Sequence, residues 1–208
     1  MATLRRVKPC DAHSVSRICL LTGDAGETAE CLYNNPELLG LVYALPYVEI
    51  PITTFGYVVE DSNQVVGYVL GSTDTRTFEH EEAKHWWPFL RAKYPLDGSS
   101  GLTVSDTRMI RSIHFPSVSP EHCMAFSPAH LHINILPAYQ RRGWGRKLIG
   151  KVMEYLCEQG CPGVWLGLDT RNKLAATFYE RLGFERVPGA GEEFVGITVE
   201  RWNGRDGC

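Results

Sequence analysis

Apolar positions along this chain change their period several times, and each change predicts an element. Residues 4–8 read as a first strand, and Asp11 reads as the N-cap of a helix running to about residue 21, ended by Gly23 and Gly26. A second helical stretch is predicted within residues 27–45, with Pro36 and Gly40 bearing on its limits. Residues 55–60 and 64–71 are apolar or β-branched runs joined by Asp61-Ser62-Asn63, the pattern of an antiparallel hairpin. Residues 74–129 are irregular. Helical pieces at 79–94 and 106–114 are interrupted by Pro88, Pro95 and a Gly/Ser turn at 98–101, which predicts a long insertion over one edge of the sheet.

Regularity returns at residue 131. Leu131, Ile133 and Ile135 alternate with His130, His132 and Asn134, so one face of this strand is apolar and the other polar. Leu148, Ile149, Val152, Met153 and Leu156 then fall on one face of a helix that Gly160 can close. A short buried strand at 164–168 precedes a second amphipathic helix carrying Leu174, Ala175, Phe178, Tyr179 and Leu182, closed by Gly183. Strands at 184–187 and 194–202 complete the order, and residues 203–208 read as a tail. The expectation is one α/β domain over residues 1–208, built on a sheet of mixed direction.

Charge and cysteine content narrow the function classes. With 21 basic and 24 acidic residues the net charge is −3, so no global attraction to nucleic acid or anionic membrane is expected. The longest apolar runs are strand-sized, too short for a bilayer span. Seven irregularly spaced cysteines and no signal-peptide pattern predict reduced thiols in a cytoplasmic or nuclear setting. Cys157 and Cys161 do not form a zinc spacing, and His130 with His132 lacks a third ligand, so no metal is expected.

Positive charge is concentrated where the strand at 131–136 turns into the next helix, at Gln140-Arg141-Arg142-Gly143-Trp144-Gly145 followed by Arg146. Glycines permit a tight turn and bring bare N–H groups up to an anion, and the helix start adds the positive end of its dipole. The segment predicts a phosphate or pyrophosphate site. A dinucleotide oxidoreductase is a poor match, because G-x-G-x-x-G is missing after an early strand.

With this loop in place the chain resembles the GNAT superfamily of acyl-CoA-dependent N-acetyltransferases. Gln140 to Gly145 is similar to that family's pyrophosphate loop, and Asn172, Ala175, Phe178, Tyr179, Gly183 and Phe184 are similar to its N-x-x-A-x-x-F-Y-x-x-x-G-F helix. A narrower resemblance joins Gly67-Tyr68-Val69-Leu70-Gly71-Ser72-Thr73-Asp74 and Trp87-Pro88-Phe89-Leu90-Arg91-Ala92-Lys93-Tyr94-Pro95 to the acetyltransferase-like C-terminal domain of O-GlcNAcase and its stand-alone microbial relatives. That branch usually carries Asp at the strand position held here by Asn134. Hexosamine hydrolysis does not carry over, as these 208 residues include no glycosidase segment.

The resemblance implies a mixed, mostly antiparallel sheet flanked by helices, with a helical insertion before the central strand, and acetyl-CoA as cosubstrate. It implies that the backbone at Ile133, Ile135 and Leu136 lies along the pantetheine and polarises the thioester carbonyl. Gln140, Arg141, Arg142, Gly143, Trp144, Gly145 and Arg146 hold the pyrophosphate, Asn172 bonds the pantetheine, and Tyr179 faces the departing thiolate. His132 and Asp74 compete as the base for an amine acceptor and Glu49 is a weaker candidate; a satisfied structural histidine explains His132 about as well, and a turn cap is the plain alternative for Asp74. Asn134, Trp87 and Tyr94 are expected on the acceptor side, with Trp86 and Phe89 as further aromatics, although packing accounts for aromatics of this kind. The leading expectation is acetyl transfer from acetyl-CoA to a primary amine on a small molecule or protein. A non-catalytic CoA-binding or protein-interaction module is the alternative, and a homodimer is compatible with either.

Overall fold

The structure, a computed structural model, describes residues 1–97 and 101–206. Its sheet is assembled from hairpins and two crossovers. Strand β1 (Thr3–Arg6) leads to helix α1 (Ala12–Leu21), then to the short helices α2 (Leu38–Tyr43) and α3 (Pro46–Glu49). Strands β2 (Thr54–Asp61) and β3 (Gln64–Ser72) form the expected hairpin. Its turn needs two left-handed residues, and Ser62 (φ 51°) and Asn63 (φ 62°) take them. Helices α4 (Thr75–Glu81), α5 (Trp87–Lys93), α6 (Val104–His114) and α7 (Glu121–Phe126) fill the insertion, with a π-helical segment Glu82–Trp86 joining α4 to α5. Strand β4 (His130–Ile135), helix α8 (Trp144–Glu158), strand β5 (Gly163–Gly167), helix α9 (Lys173–Leu182), strands β6 (Glu185–Arg186) and β7 (Phe194–Thr198) and helix α10 (Val199–Asp206) follow.

The sheet order is β1-β2-β3-β4-β5-β7-β6, and every neighbouring pair is antiparallel except β4–β5. Alternation along the strands sends side chains to two separate cores. Val58, Tyr68 and Leu70 meet α1, α2, α5 and α6 on one face, whereas Phe55, Val59, Val69 and Leu131 meet α8, α9 and α10 on the other. Leu148, Ile149, Val152, Met153 and Leu156 of α8 are at most 1% exposed. At roughly 1.5–3 kcal/mol for each fully buried side chain, this stripe is what pins α8 to the sheet.

Four expectations change. The predicted edge insertion instead covers the α1/α2 face and continues, through α7, beneath β5, because β3 and β4 are interior neighbours and the connection between them must cross a face. The last strand stops at Thr198, and the chain turns into α10, whose Trp202 is buried against α8's face, so residues 203–206 are helical and not a tail. Asp11 does not cap α1 with its side chain. Its carboxylate instead takes two bonds from Arg5 and one from the Lys8 N–H, stapling β1 to the helix start. The second helical stretch is split into a 3₁₀ turn at Glu30–Leu32 and α2, with Pro46 starting α3. Residues 98–100 of the turn predicted at 98–101, and residues 207–208, lie outside the described residues, while Gly101 takes left-handed backbone (φ 94°).

Buried titratable groups make the stability pH-dependent. His130 sits between Thr75 Oγ1 (2.6 Å) and the Tyr47 hydroxyl (2.7 Å), and burial pushes its pKa down to about 3. The unfolded chain therefore gains protons first as pH falls below 6.5, and stability is lost in that direction. Glu82 acts oppositely. Burial, reinforced by the charge of Glu79, pushes its pKa up to about 8, so the folded state holds a proton that the unfolded chain gives up from 4.5 upward. Stability drains as pH rises through that window. Glu82→Gln should raise the thermal midpoint at pH 9 and change it little at pH 5; an equal shift at both would show that the charged form carries no penalty.

Candidate functional site

The only parallel neighbours in the sheet are also its most weakly joined. Strands β4 and β5 pair at a single position, His130 with Trp165, and share no further paired residue before they diverge. Register decides which backbone groups this leaves open. Leu136 N–H donates to Val66 O at 3.0 Å, so Leu136, and with it Asn134 and His132, direct their peptide groups toward β3. Ile133 and Ile135 therefore direct theirs into the wedge beside β5. The Ile135 carbonyl there accepts a bond from Gln140 Nε2 at 2.9 Å, and the N–H groups of both residues have no β5 ladder partner. The expected role of the Leu136 backbone is corrected, since its N–H is already used within the sheet.

A cleft of about 370 Å³ opens at this wedge. It is lined by Leu131, His132, Ile133 and Asn134 of β4, Leu166 and Gly167 of β5, Asn172, Ala175 and Tyr179 from the α9 segment, and Cys19, Tyr33, Leu39, Tyr43, Arg108 and Met109 from the α1/α2/α6 side. Asn172 caps α9, its Oδ1 accepting from the Ala175 N–H at 2.9 Å, and it still faces the cleft. Tyr179 is 6% exposed, and burial raises its pKa above the ordinary tyrosine value, so the hydroxyl stays protonated.

Beside the wedge, the loop after β4 prepares the start of α8. Arg141 (φ 57°) and Gly143 (φ 81°) both take left-handed backbone, and Gly143 is the α8 N-cap, with open space where a Cβ would sit. That aims the first-turn N–H groups outward with the positive end of the dipole. Gly145 has a different reason. A Cβ there would lie 2.7 Å from the Phe178 ring, so its absence lets α8 press against α9. Arg142 lies over the Tyr139 ring, Arg146 over Trp202, and Lys147 over Trp144. This cationic rim, the open helix start and the half-unpaired strand fit a diphosphate attached to an extended amide arm.

Along the residues expected on the acceptor side, a polar chain runs through the sheet's other face. Asn134 Nδ2 donates to the buried Tyr68 hydroxyl at 3.0 Å, which leaves that hydroxyl's own proton for His132 Nε2, also at 3.0 Å. His132 is then a neutral Nδ1–H tautomer, and burial pushes its pKa down to about 4. Other expected residues are elsewhere. Asp74 caps α4, its carboxylate accepting from the Thr77 N–H and hydroxyl, and it does not line the cleft. Trp87 is 5% exposed in the core, and the Tyr94 hydroxyl donates to Glu37, so neither reaches the cleft. Trp86 donates to Leu41 O at 2.9 Å, Phe89 is exposed, and Glu49 ends α3 away from the cleft lining. Among the described residues no His/Cys/Asp/Glu group could hold a metal, and no helix is long and apolar enough to cross a membrane.

Sequence reasoning missed Arg108, Met109, Tyr33 and Tyr43. The available signal was Thr103-x-x-Asp106. It forms a capping box at the start of α6, and Asp106 also accepts from the Asn34 and Asn35 N–H groups at 3.1 Å, tying α6 to the loop that carries Tyr33.

Comparison with known proteins bears on this geometry. The model of the acetyltransferase (GNAT) family matches residues 110–184. The crystal structure of SsHAT is 32% identical, with a TM-score of 0.83, over 95% of this chain and 98% of that one. This chain belongs to the GNAT acetyltransferase family. The GNAT chain is also 26% identical to the protein O-GlcNAcase of Rattus norvegicus over 87% of its own length, but it spans only 20% of that protein. A shorter match, 41% identical over 56 residues, is to the ribosomal protein bS18-alanine N-acetyltransferase of Haemophilus influenzae, covering 27% of this chain and 38% of that one. The family whose model matches is one of acetyltransferases.

The loop geometry generates a direct check. Gly143→Asp keeps a residue type that tolerates left-handed backbone and can cap a helix, so the fold should persist. Its carboxylate would stand where the diphosphate is expected. Calorimetry should find CoA affinity lowered at least about tenfold, the cost of one like-charge encounter near a helix start; unchanged affinity would remove the loop from the cofactor site.

Proposed function

We propose that this acetyltransferase passes the acetyl group of acetyl-CoA to a primary amine by direct attack, without an acyl-enzyme. The observation that carries the reading is the wedge between β4 and β5, with the unpaired Ile133 N–H and a protonated tyrosine on the same cleft. Bound acetyl-CoA supplies the activated acyl group. The loop from Gln140 to Arg146 holds its diphosphate through backbone N–H groups and positive charge, while the Gln140 side chain braces the loop against β4. Asn172 bonds the pantetheine. The Ile133 and Ile135 N–H groups stabilise the carbonyl oxygen as it gains charge, the task of a fixed oxyanion hole.

Tyr179 hydrogen-bonds the departing thiolate. Even at ordinary values, donation from a phenol near pKa 10 to a thiolate near 8.5 is uphill by about 2 kcal/mol. Burial of Tyr179 increases that mismatch, so stabilisation leads and proton transfer comes late. Tyr179→Phe should lower kcat by roughly ten- to a hundredfold, at the low end of general-acid effects. CoA affinity should fall much less; full kcat with chemistry rate-limiting would return Tyr179 to a packing role.

Proton removal is the weak point of any base assignment. Taking a proton from a free ammonium near pKa 10.4 to an imidazole near 4 is uphill by about 9 kcal/mol, so His132 does not deprotonate the incoming acceptor. The acceptor enters as its neutral fraction, and His132 with Tyr68 receives the proton only after attack. Asp74, committed to its helix cap, is the lesser candidate. The rising limb of the pH–rate profile should therefore follow the acceptor, moving between two amines of different pKa. A limb fixed between pH 6 and 7 for both, and lost in His132→Ala, would overturn this account.

One observation favours the alternative of a non-catalytic CoA-binding or protein-interaction module. Asp169, the carboxylate on the cleft wall, is bonded by Arg171, so no carboxylate lining the cleft is free to act as a base. Release of CoA across an amine panel supports the enzyme; tight CoA binding with no turnover supports the module.

A further inference from the structure

We infer that the acceptor is an amine that also carries an oxyanion, and that Arg108 reads this group together with the hydroxyls of Tyr33 and Tyr43. The inference rests on the acetyl transfer to an amine proposed above and specifies the substrate class. Arg108 projects from α6 into the lining of the same cleft as Asn172 and Tyr179. It is exposed, and among the described residues it enters no ion pair. Tyr33 and Tyr43, the latter 43% exposed, line the same cleft as Arg108, and the charge of Arg108 offsets part of the rise that desolvation gives each phenol. A planar guanidinium flanked by O–H donors suits a carboxylate or phosphate better than any neutral group.

The other two charged groups lining the cleft, Arg171 and Asp169, are paired with each other, and Asp169 also feels the charge of Arg108. Arg171 bonds the Asp169 carboxylate through Nε and Nη2 and reaches Asp24 at 2.9 Å. A second ammonium on the acceptor, as in a diamine, would find no open carboxylate there, whereas an oxyanion finds an unpaired guanidinium. The arrangement is also braced. Asp106, on the same helix as Arg108, accepts from the Asn34 and Asn35 N–H groups and from the Thr103 N–H and hydroxyl, and is fully buried. Arg108 and the loop after Tyr33 are thereby parts of one bonded unit.

The test pairs acceptors that differ only in the anion: amino acids against their amides, and phosphoethanolamine against ethanolamine, with a diamine alongside. In the wild type kcat/KM should favour an anionic member at least about tenfold, the scale of a charge-assisted bidentate contact. Arg108→Ala should bring that ratio to within about threefold of one, mainly through KM, and Arg108→Lys should recover part of it. Acetyl-CoA affinity, measured by calorimetry on each variant, should stay constant. Which pair responds distinguishes a carboxylate from a phosphate source. Equal use of acid and amide, preference for the diamine, a ratio unmoved in Arg108→Ala, or a loss of acetyl-CoA affinity in that variant would each overturn the inference. Should no amine release CoA, the function proposed above fails by itself. The same pairs titrated into CoA-saturated protein then decide the anion preference, by whether the anionic member binds more tightly and loses that advantage in Arg108→Ala.

Discussion

The site depends on a ladder that is not completed. A parallel pair normally satisfies both strands along their length, and an unpaired peptide group in a protein interior costs on the order of 1–3 kcal/mol. Here β4 is satisfied on its β3 side through the whole strand, whereas on its β5 side pairing ends at His130. The open positions are Ile133 and Ile135, and Ile133 opens onto a cleft rather than into packed core. The fold sustains this because the two cores on either face hold the strands without help from that ladder. Leu131 and Val69 are anchored by α8, and Tyr68 and Leu70 by α1 and the insertion helices.

Division of labour between the faces follows from the same break. The α8 side is regular, amphipathic and closed by glycines, and it presents the loop proposed for the diphosphate and Tyr179. The α1/α2/α6 side is assembled from short helices joined by side-chain-to-backbone bonds, among which Asp106 is central. The residues proposed for the cofactor thus sit on structure dictated by hydrophobic periodicity, and those proposed for the acceptor on structure dictated by particular polar contacts.

That contrast explains what could be read from the chain in advance. The hairpin at Asp61-Ser62-Asn63, the alternation from His130 to Ile135 and the helices closed by Gly160 and Gly183 are local signals, and each appears within a residue or two of its expected bounds. The loop from Gln140 to Gly145 and the helix from Asn172 were legible for the same reason, since their glycines and caps act within a few residues. Arg108, Tyr33 and Tyr43 were not legible, because they meet through bonds between segments about seventy positions apart, as in Asn34 with Asp106. Trp87 and Tyr94 misled for the converse reason: aromatic character marks burial or binding alike, and only packing decided for the core and for Glu37. The end of β7 was misjudged because Trp202 is as apolar in a helix as in a strand, and tertiary contact with α8 determined which.

Gly145 has a consequence beyond the turn in which it lies. Its bare Cα rests against the Phe178 ring, the neighbour in sequence of the tyrosine that faces the cleft. The place where the cofactor's charged end would be gripped and the place where its sulfur would be met are therefore separated by one van der Waals contact, acting as a gauge between two helices. A methyl group added at that point would lengthen the gauge, and the grip and the sulfur contact would cease to fit the same molecule at once.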